Sequence, residues 1–536
     1  MDNATLAERL EAFAALLELN GSGFYTTRAY RRAAELIRST PADVTTIVRS
    51  GRVRELRGIG PGIEARLREL VETGGLAELR ELEAEVMPEL VAVGRLIGLS
   101  PVRMRQLGTA LDVRSLEAFR AAVEAGRLEG VRGIGPKTAA KIREGLTGLL
   151  HDVRPRSGLT LNRARALVDG LAAALGGEPA GDPRRSCDLS TRHAVVVPSN
   201  RLLLGLERLP QIVSVLERDE ARAVGVTVEG IPVEVIATTP ASFGTALLRA
   251  TGSPEYVASL GPLPERASEL EVYTYIGCPF RPPELRELDA ADPPPDLLEL
   301  EHIRGDLHMH STASDGKATV LELGLAARGL GHEYIAICDH TKAVRVVEGL
   351  NADGLRRQAE EIGAANKELA PFRILRGSEC DILPDGSLDL PDDVLAELDW
   401  VQISLHAGQR AAADELTARV VEAMRHPAAS CLSHPLGRIL NHRPENALDL
   451  DRVFEVALET GVALEVNGLP DRLDLSGRHV RRALAAGVKI VCSTDAHSTR
   501  GLGNMALSVG TARRGGACRD KVLNTLPLAE LLARPR

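Results

Sequence analysis

Strand-like runs that end on a histidine or a carboxylate constrain the fold of this chain more than any other feature. Six of the seven apolar, β-rich runs after residue 302 end in this way, and helical runs separate them. The runs read IRGDLHMH, YIAICDH, FRILRGSECDI, WVQISLH, ASCLSH, GVALEVN and VKIVCSTDAH. In a barrel of parallel strands all carboxyl ends meet at one rim. We therefore predict a β/α barrel whose rim gathers residues that are far apart in the sequence.

The residues at these strand ends are typical metal ligands. In the runs HMH and DAH the outer side chains lie on the same face of an extended strand, because side-chain direction repeats every two residues. A further carboxylate lies in the loop HSTASDG after the first run. The candidate ligands are His308, His310, Asp315, His340, Glu379, His406, His434, Asp495 and His497.

Nine candidate ligands are too many for one ion. Six imidazoles and three carboxylates favour two or three ions such as Mn²⁺ or Zn²⁺, whereas calcium or magnesium would favour oxygen ligands alone. Such clusters hydrolyse phosphate esters, because one metal generates a hydroxide while its neighbours polarise the phosphoryl group and the leaving oxygen. No protein nucleophile is needed, so the sequence assigns no separate catalytic residue.

Other polar residues near these runs leave two interpretations open. Glu465 and Asn467 end the sixth run, where ligation and hydrogen-bonding support of a ligand are equally compatible with the pattern. Arg438, four residues after His434, either binds a substrate phosphate through its planar guanidinium or is a solvated loop residue. The remaining histidines of this part do not fit the strand-end pattern and are interpreted as surface or supporting residues: His302, His332, His426, His442 and His479.

Composition limits the class of protein. With 536 residues, 44% of them hydrophobic, the chain has room for roughly three or four domains, and disorder, collagen and coiled coil are excluded. No apolar run approaches the roughly 20 residues of a membrane helix, and no secretory signal is visible, so we expect a cytoplasmic protein without a membrane segment. Seven cysteines lack any CxxC pair, which argues against a disulfide framework or a cysteine zinc site.

An internal repeat marks the first 150 residues, which are otherwise a series of short amphipathic helices. LRGIGPGIEARLREL (56–70) recurs as VRGIGPKTAAKIREGL (131–146), and RLIGLSPVRMRQL (95–107) is a weaker third copy. This part holds 22 Lys+Arg against 20 Asp+Glu, so the overall net charge of −9 does not exclude nucleic acid as a partner. Strand-like runs HAVVVP, AVGVTVEG and IPVEVIAT then indicate an α+β segment, and ADPPPD (291–296) is typical of a linker.

The strand-end motifs resemble a known family. DLHMHSTASDG, CDH, GSECDIL, SLH, LSHPLGR, EVNGLPDRLDL and STDAHS are similar to the PHP (polymerase and histidinol phosphatase) domain, in the version fused to bacterial family X DNA polymerases. The resemblance covers 303–536 and implies a distorted seven-stranded barrel with up to three Mn²⁺ or Zn²⁺ ions held by the nine candidate ligands. It also implies a 3′–5′ exonuclease, in some members an abasic-site endonuclease or a 3′ phosphatase, and the residues alone do not choose among these.

The upstream half resembles the same polymerases. Residues 8–40, with GFYTTRAYRRAAELI, are similar to their small N-terminal domain, and GIGPG and GIGPK resemble helix-hairpin-helix motifs. A glycine turn exposes backbone N–H groups at a helix N-terminus, where a DNA phosphate can bind without sequence readout. The candidate DNA contacts are Gly58, Gly60, Gly62, Gly133, Gly135 and Lys137.

These observations predict a multidomain chain of α plus α/β class. We expect an N-terminal helical domain with the first hairpin at 1–75 and a further helix-hairpin-helix region at 76–152. A degenerate family X palm with a shortened thumb follows at 153–290, and the PHP phosphoesterase barrel occupies 303–536.

The expected palm departs from the family at its active site. Family X palms carry an Asp-x-Asp pair and a third aspartate that together hold two magnesium ions. Aligning AGDPRRSCDLSTRHAVVV (180–197) puts Arg192 and Ala194 at the paired aspartates, and the third position falls on Glu234. Asp182 and Asp188 lie nearby but form no such pair, and a cation at the first position would repel Mg²⁺. We therefore expect a silent polymerase module.

A lyase activity is not expected either. In eukaryotic family X members a Schiff-base lysine follows the first hairpin, whereas this chain has no lysine before residue 137. Arginine cannot deprotonate to act as the amine nucleophile.

The sequence thus indicates a metal-dependent DNA repair nuclease that contacts the DNA backbone without reading its sequence; protein partners are not predicted. Three alternatives stay open. They are a gap-filling polymerase with proofreading, a small-molecule phosphatase like other PHP proteins, and a DNA-binding scaffold without enzymatic activity.

Overall fold

The computed structural model describes residues 3–19, 24–39, 43–56, 58–148, 158–290, 292–344 and 347–534. The predicted domain boundary at 152 and 153 lies outside these residues. Over its described residues the N-terminal part is helical, as predicted. Its helices are α1 (Asn3–Leu19), α2 (Phe24–Ser39), α3 (Val44–Arg49), α4 (Pro61–Thr73), α5 (Ala77–Val86), α6 (Pro88–Ile97), α7 (Pro101–Leu111), α8 (Leu116–Glu124) and α9 (Pro136–Gly148). None of the described helices is both long and apolar enough to cross a bilayer.

The repeats form helix pairs joined by tight turns. Gly58 and Gly133 adopt φ angles of +113° and +83°, which L side chains rarely adopt. α4 and α9 then begin at Pro61 and Pro136, where the fixed φ of proline suits the first helical position. The weaker third copy is also a helix pair: α6 ends at Ile97 with Gly98 as its C-cap, and α7 begins after the Ser100 cap.

The middle module, residues 158–290, contains a five-stranded sheet in its described part. Its elements are β1 (Leu159–Thr160), α10 (Leu161–Leu175), β2 (Glu178–Gly181), β3 (Leu189–Ser190), β4 (His193–Val197), β5 (Ile212–Arg218), β6 (Arg222–Thr227), β7 (Pro232–Ala237), α11 (Phe243–Thr251), α12 (Pro254–Ser259) and α13 (Glu269–Ile276). The sheet order is β2-β4-β7-β6-β5. β4, β6 and β7 match the three predicted runs. β5 was not predicted, because it is an edge strand with two irregularities in its register and mixed polarity.

The barrel follows from Ile303 onward. Its elements are β8 (Gly305–Met309), α14 (Val320–Gly329), β9 (Tyr334–Ile337), α15 (Ala352–Leu369), β10 (Arg373–Asp381), α16 (Asp392–Ala396), β11 (Trp400–Ser404), α17 (Ala413–Met424), β12 (Cys431–Leu432), α18 (Leu450–Thr460), β13 (Ala463–Asn467), α19 (Gly477–Ala486), β14 (Ile490–Ser493), α20 (Met505–Arg514) and α21 (Leu528–Leu532). Within the described residues seven parallel strands follow one another in chain order from β8 to β14.

The first and last strands of this sheet meet. Met309 and Ala496 form a parallel bridge, and the N–H of His310 donates to the carbonyl oxygen of Ala496 over 2.9 Å. The sheet is thereby nearly closed, which confirms the predicted distorted barrel. Closure brings the carboxyl ends of all described strands to one rim.

A buried ion network stabilises the middle module. Glu269 accepts two hydrogen bonds from Arg184, at 2.7 and 2.8 Å, and one from Arg286, whose side chain is fully buried. Burial raises the pKa of Glu269, but the two guanidinium groups outweigh it and hold that pKa below its usual value. The contribution of the carboxylate to stability is therefore present at neutral pH and is lost as the pH falls through the lowered pKa.

We expect Glu269→Gln to lower the free energy of unfolding by about 3–5 kcal/mol, because it leaves the charge of Arg286 buried without an anion. Urea unfolding followed by circular dichroism measures the change. The matched control is Glu265→Gln, whose ion pair with Arg249 is exposed and whose loss should cost less than about 1 kcal/mol. Equal effects of the two substitutions would contradict a structural role for the buried network.

Candidate metal centre

The structure brings all nine predicted ligand residues together at the carboxyl-end rim of the barrel. Their ligand atoms form three overlapping groups, within each of which the atoms lie within 4.8 Å of one another. The groups are His310, Asp315, His340 and His497; His308, His310 and Asp495; and His340, Glu379 and His406. His434 belongs to none of these groups, but its Nε2 lies 2.9 Å from Oε1 of Glu379.

The closure of the barrel creates the group on β8 and β14. His308 and His310 lie at the end of β8 and beyond it, and both side chains are fully buried. Nε2 of His310 lies 3.0 Å from Oδ1 of Asp495 and 3.2 Å from Nε2 of His308. The His-x-His pair and the Asp-x-His run therefore face the same small volume, as expected from their shared strand faces.

Glu379 belongs to the third group and also contacts histidines outside it. Its Oε2 is 2.9 Å from Nδ1 of His340 and 3.5 Å from Nε2 of His308. Its Oε1 is 2.9 Å from Nε2 of His434 and 3.5 Å from Nε2 of His406. A carboxylate whose two oxygens reach different sets of imidazoles is suited to bridge two cations.

The centre opens to solvent at Asp315 and His497. Nε2 of His497 lies 3.2 Å from Oδ2 of Asp315, and about a third of each side chain is exposed, 32% and 28%. His308, His310 and Glu379 are almost fully buried behind them. A ligand from solvent would therefore reach the centre from the side of Asp315 and His497.

The donor set fits divalent cations. Nδ1 of His310 and Nδ1 of His434 are buried and have no hydrogen-bond partner among the described residues, although buried polar atoms are normally paired. The Nε2 atoms of His308 and His310 face each other, and one cation between them would satisfy both. Imidazole with carboxylate is the ligand chemistry of zinc and manganese sites.

The electrostatics of the centre also favour bound positive charge. Burial lowers the pKa of His308, but the carboxylates of Glu465, Asp495 and Glu379 outweigh it and raise that pKa well above its usual value. Burial raises the pKa values of Glu379 and Asp495, yet the surrounding histidines hold both well below their usual range. The carboxylates are therefore ionised and attract cations.

Glu465, on β13, forms hydrogen bonds to residues of the centre from the interior of the barrel. Its Oε1 lies 2.6 Å from Nδ1 of His308 and accepts from Nε2 of Gln402 at 3.0 Å. Its Oε2 accepts from the N–H of His434 at 2.6 Å and from Nδ2 of Asn467 at 3.2 Å. Both oxygens of this fully buried carboxylate are thus occupied, which favours hydrogen-bonding support of His308 over ligation.

Two further supporting carboxylates were not predicted. Oδ1 of Asp381 lies 3.2 Å from Nδ1 of His406, and Asp339 accepts from the N–H of Ser311 at 2.8 Å. Each lies one or two positions from a predicted ligand, in the motifs CDH and ECD. Their closeness in sequence to predicted ligands could have indicated a supporting role, but the sequence does not show which way these side chains point.

Arg438 is engaged away from the centre. Its Nη2 lies 2.7 Å from Oδ2 of Asp188 in the middle module. Its Nε donates to the carbonyl oxygen of Arg472 at 2.9 Å, and Nη2 also donates to that of Leu473. The guanidinium joins two parts of the chain, so a substrate phosphate would have to displace these contacts.

The hairpin residues lie at open helix N-termini. Gly60 is the N-cap of α4, and Gly135 directly precedes α9. No described atom lies within 4 Å of the position that a Cβ would take at either glycine. The backbone at these turns is therefore accessible to a phosphate. The same two turns contain the other predicted contacts, Gly58, Gly62, Gly133 and the exposed Lys137.

The aligned palm positions also come together. Ala194 on β4 pairs in parallel register with Glu234 on β7. Glu234 forms an ion pair with Arg222, and Arg192 donates to the carbonyl oxygen of Gly252 at 3.0 Å. Among the described residues, the groups of His, Cys, Asp and Glu side chains that could hold a metal ion all lie in the barrel.

We expect Glu465→Gln to lower the affinity for Mn²⁺ or Zn²⁺ by roughly 10–100-fold, because the neutral amide no longer orients and polarises His308. Equilibrium dialysis with metal analysis gives the dissociation constants. Glu459→Gln is the matched control, since Glu459 is exposed at the end of α18. An unchanged affinity in Glu465→Gln would argue against His308 as a ligand.

Comparison with known proteins agrees with this architecture. Residues 1–76 match a family model described as a helix-hairpin-helix domain. A probable phosphatase of Acetivibrio thermocellus is 30% identical over 36% of this chain and 78% of its own length. A probable phosphatase of Thermoanaerobacter sp. (strain X514) is 28% identical over 41% of this chain and 89% of its own. These phosphatases correspond to the C-terminal part.

A further relative matches almost the whole chain. The DNA polymerase/3′-5′ exonuclease PolX of Bacillus subtilis is 32% identical, and the match extends over 99% of this chain and 99% of that protein. The hairpin region, the middle sheet and the barrel are thus all part of one shared architecture. The chain belongs to the PolX family.

Proposed function

We propose that this protein is a metal-dependent 3′–5′ DNA exonuclease whose active site is the barrel rim. The observation that carries the proposal is the convergence of nine ligand-type side chains at that rim, in a chain related over 99% of its length to PolX of Bacillus subtilis. Abasic-site cleavage and removal of a 3′ phosphate are further reactions of the same phosphate ester chemistry. A cytoplasmic location stays a prediction.

The proposed cofactors are two or three divalent ions, Mn²⁺ or Zn²⁺. The proposed ligands are the nine residues predicted from the sequence, and Glu379, whose two oxygens reach different imidazoles, would contact more than one ion. When bound, the metals supply a hydroxide nucleophile and neutralise charge on the phosphate. Asp315 and His497 border the entrance. Glu465, which is fully buried, holds His308 in place from the interior of the barrel.

The middle module is proposed as a DNA-positioning part without polymerase activity. Arg192 and Ala194 stand where the paired aspartates of a family X palm are expected, and the remaining acidic position, Glu234, is ion-paired with Arg222. A carboxylate neutralised by an adjacent arginine is a poor magnesium ligand. The proposed extents are 1–75 and 76–152 for the hairpin regions, 153–290 for the palm and thumb, and 303–536 for the barrel.

The test is a 5′-labelled primer on a gapped template with Mn²⁺, incubated with and without nucleotides. We expect stepwise shortening from the 3′ end under both conditions and no extension, because the barrel is active and the palm lacks its carboxylate pair. The His308→Ala/His310→Ala variant should lose at least about 100-fold of the activity. Gel electrophoresis resolves both products.

Two results would contradict the proposal. Primer extension by the wild type would mean that the middle module retains catalysis. Turnover of a phosphorylated metabolite without any DNA cleavage would instead favour a small-molecule phosphatase, the activity named for the shorter relatives.

DNA binding through the hairpins makes a separate prediction. Lys137→Ala should weaken binding about equally for unrelated sequences and reduce the slope of log K against log salt by about one, because one phosphate contact is lost. Fluorescence anisotropy in EDTA measures binding without cleavage. Lys367→Ala, on the exposed face of α15, is the control and should leave the slope unchanged. The same slope in Lys137→Ala and wild type would exclude this contact.

A further inference from the structure

A cleft separates the N-terminal helices from the middle module. Residues of α1 and α2 line one side, and residues of β1, α10 and the segments 210–213 and 227–231 line the other. The volume of this intermodule cleft is about 380 Å³, within the roughly 300–1,000 Å³ of small-molecule sites. None of its described lining residues is a candidate metal ligand or a predicted hairpin contact.

The barrel contacts both sides of the intermodule cleft. On the side of the middle module, Nδ2 of Asn441 donates to the carbonyl oxygen of Gly158 at 3.0 Å, next to the lining residue Leu159. On the side of the N-terminal helices, Nη1 of Arg500 donates to the carbonyl oxygen of Arg32 on α2 at 3.4 Å. The cleft therefore lies where three modules meet, and ligand sites occur preferentially at such interfaces.

The interior of the cleft is apolar. Leu16 on α1 and Val228 line it and belong to the core of the N-terminal helices. Leu159 and Ile231 line it from the middle module and belong to one small core of that module. All four side chains are buried. Walls of this kind favour a ligand with an apolar body, because binding removes apolar surface from water.

The cleft opens to solvent between charged side chains. Nη2 of Arg31 on α2 lies 3.1 Å from Oε1 of Glu229, and Nη2 of Arg163 on α10 lies 2.5 Å from Oε2 of the same residue. Arg163 has no other hydrogen bond or ion pair with a described residue, so its remaining N–H groups can bind an anion. The described lining includes four arginines but two carboxylates, which also favours an anion.

Two amide side chains of the lining have unused hydrogen-bonding atoms. Oε1 of Gln211 is buried and has no partner among the described residues, although buried polar atoms are normally paired. Oδ1 of Asn162 accepts from Oγ1 of Thr160 at 2.8 Å, while Nδ2 of Asn162 donates to no described residue. The cleft thus offers one acceptor and one donor besides its arginines.

The cleft lies on the opposite face of the middle sheet from the aligned palm positions. Leu167 on α10 lines the cleft and packs against the core that contains Val195 and Val235. Ala194 belongs to the core on the other face, beneath α11. Successive side chains of a strand point to opposite faces, so Ala194 and Glu234 point away from α10. The cleft is therefore distinct from the polymerase site expected on this module.

We propose that the intermodule cleft binds a nucleotide. The base and sugar lie between the apolar walls, and the phosphate lies at the opening on the guanidinium of Arg163. Every base carries hydrogen-bond donors or acceptors on its edges, which match Gln211 and Asn162. A free nucleoside 5′-phosphate and an unpaired nucleotide of a DNA strand offer the same chemistry. The site is separate from the metal centre, so the proposal does not depend on the proposed exonuclease activity.

The experiment is isothermal titration calorimetry of the full chain with dAMP in EDTA, which prevents metal-dependent turnover. We expect saturable binding by the wild type. Deoxyadenosine and inorganic phosphate should each bind at least about 10-fold more weakly than dAMP, because each lacks one half of the ligand. Arg163→Ala should raise the dissociation constant of dAMP about 10–100-fold, because charge-assisted hydrogen bonds are lost.

A second variant fills the cleft instead of removing a charge. Ala166 on α10 lines the cleft and is partly exposed, so Ala166→Phe should block dAMP binding while circular dichroism shows a folded protein. The matched control is Arg201→Ala, since Arg201 is an exposed arginine of the same module outside the lining; its affinity for dAMP should equal that of the wild type. Arg163 is about half exposed, so its variant tests the site even if Ala166→Phe is unstable.

Three results would overturn the proposal: no saturable binding of dAMP by the wild type, wild-type affinity in Arg163→Ala, or wild-type affinity in folded Ala166→Phe. The source of the nucleotide follows from competition. If a single-stranded oligonucleotide displaces dAMP, the cleft holds a nucleotide of a DNA strand; if it does not, the ligand is a free nucleotide. A chain that binds dAMP in this way but cleaves no DNA with Mn²⁺ would contradict the proposed exonuclease and leave the nucleotide site standing.

Discussion

The contact between the first and last strands of the barrel is the constraint on which the candidate site depends. The His-x-His run on β8 and the Asp-x-His run after β14 are far apart in the sequence, and they meet only because His310 and Met309 pair with Ala496. An open sheet would place these runs at opposite edges. Closure places the two pairs of side chains in one pocket. The strands between β8 and β14 contribute further candidate ligands in chain order.

Closure also buries several carboxylates together, and the surrounding residues compensate their negative charge. Glu379, Glu465 and Asp495 are buried together, and unpaired buried charges would destabilise the fold. Histidines contact each carboxylate, serines contact Glu379 and Glu465, and Asn467 joins Glu465 to Asp495. The same arrangement that compensates the carboxylates also orients the imidazoles. Hydrogen-bonded support of this kind holds ligand residues in the geometry that selective and tight coordination requires.

The other modules contact the barrel close to its rim. Arg438 pairs with Asp188 of the middle module, and Nη1 of Arg500, three residues after His497, donates to the carbonyl oxygen of Arg32 on α2 at 3.4 Å. Farther from the rim, Arg513 pairs with Glu284 at 2.8 Å. The hairpin region and the middle module thus contact the barrel beside the proposed active site, as their proposed role in positioning DNA requires.

The nine candidate ligands, the helical repeats and the alternation of strands and helices could all be recognised in the sequence. Strand periodicity determines which side chains share a face, and glycine turns mark the hairpins, since both depend on local backbone geometry. β5 was not predicted, because its polar and apolar residues do not alternate regularly and its register with β6 is irregular.

Two assignments of a residue's role depended on tertiary structure alone. Glu465 became a support for His308 because both of its oxygens are occupied by neighbours from other strands. Arg438 was engaged by Asp188, which lies in a different module. The sequence by itself determined which residues could perform the chemistry, through spacing along single strands. The assignment of roles among them required the structure, because a side chain's role depends on which partners the fold places within hydrogen-bonding distance.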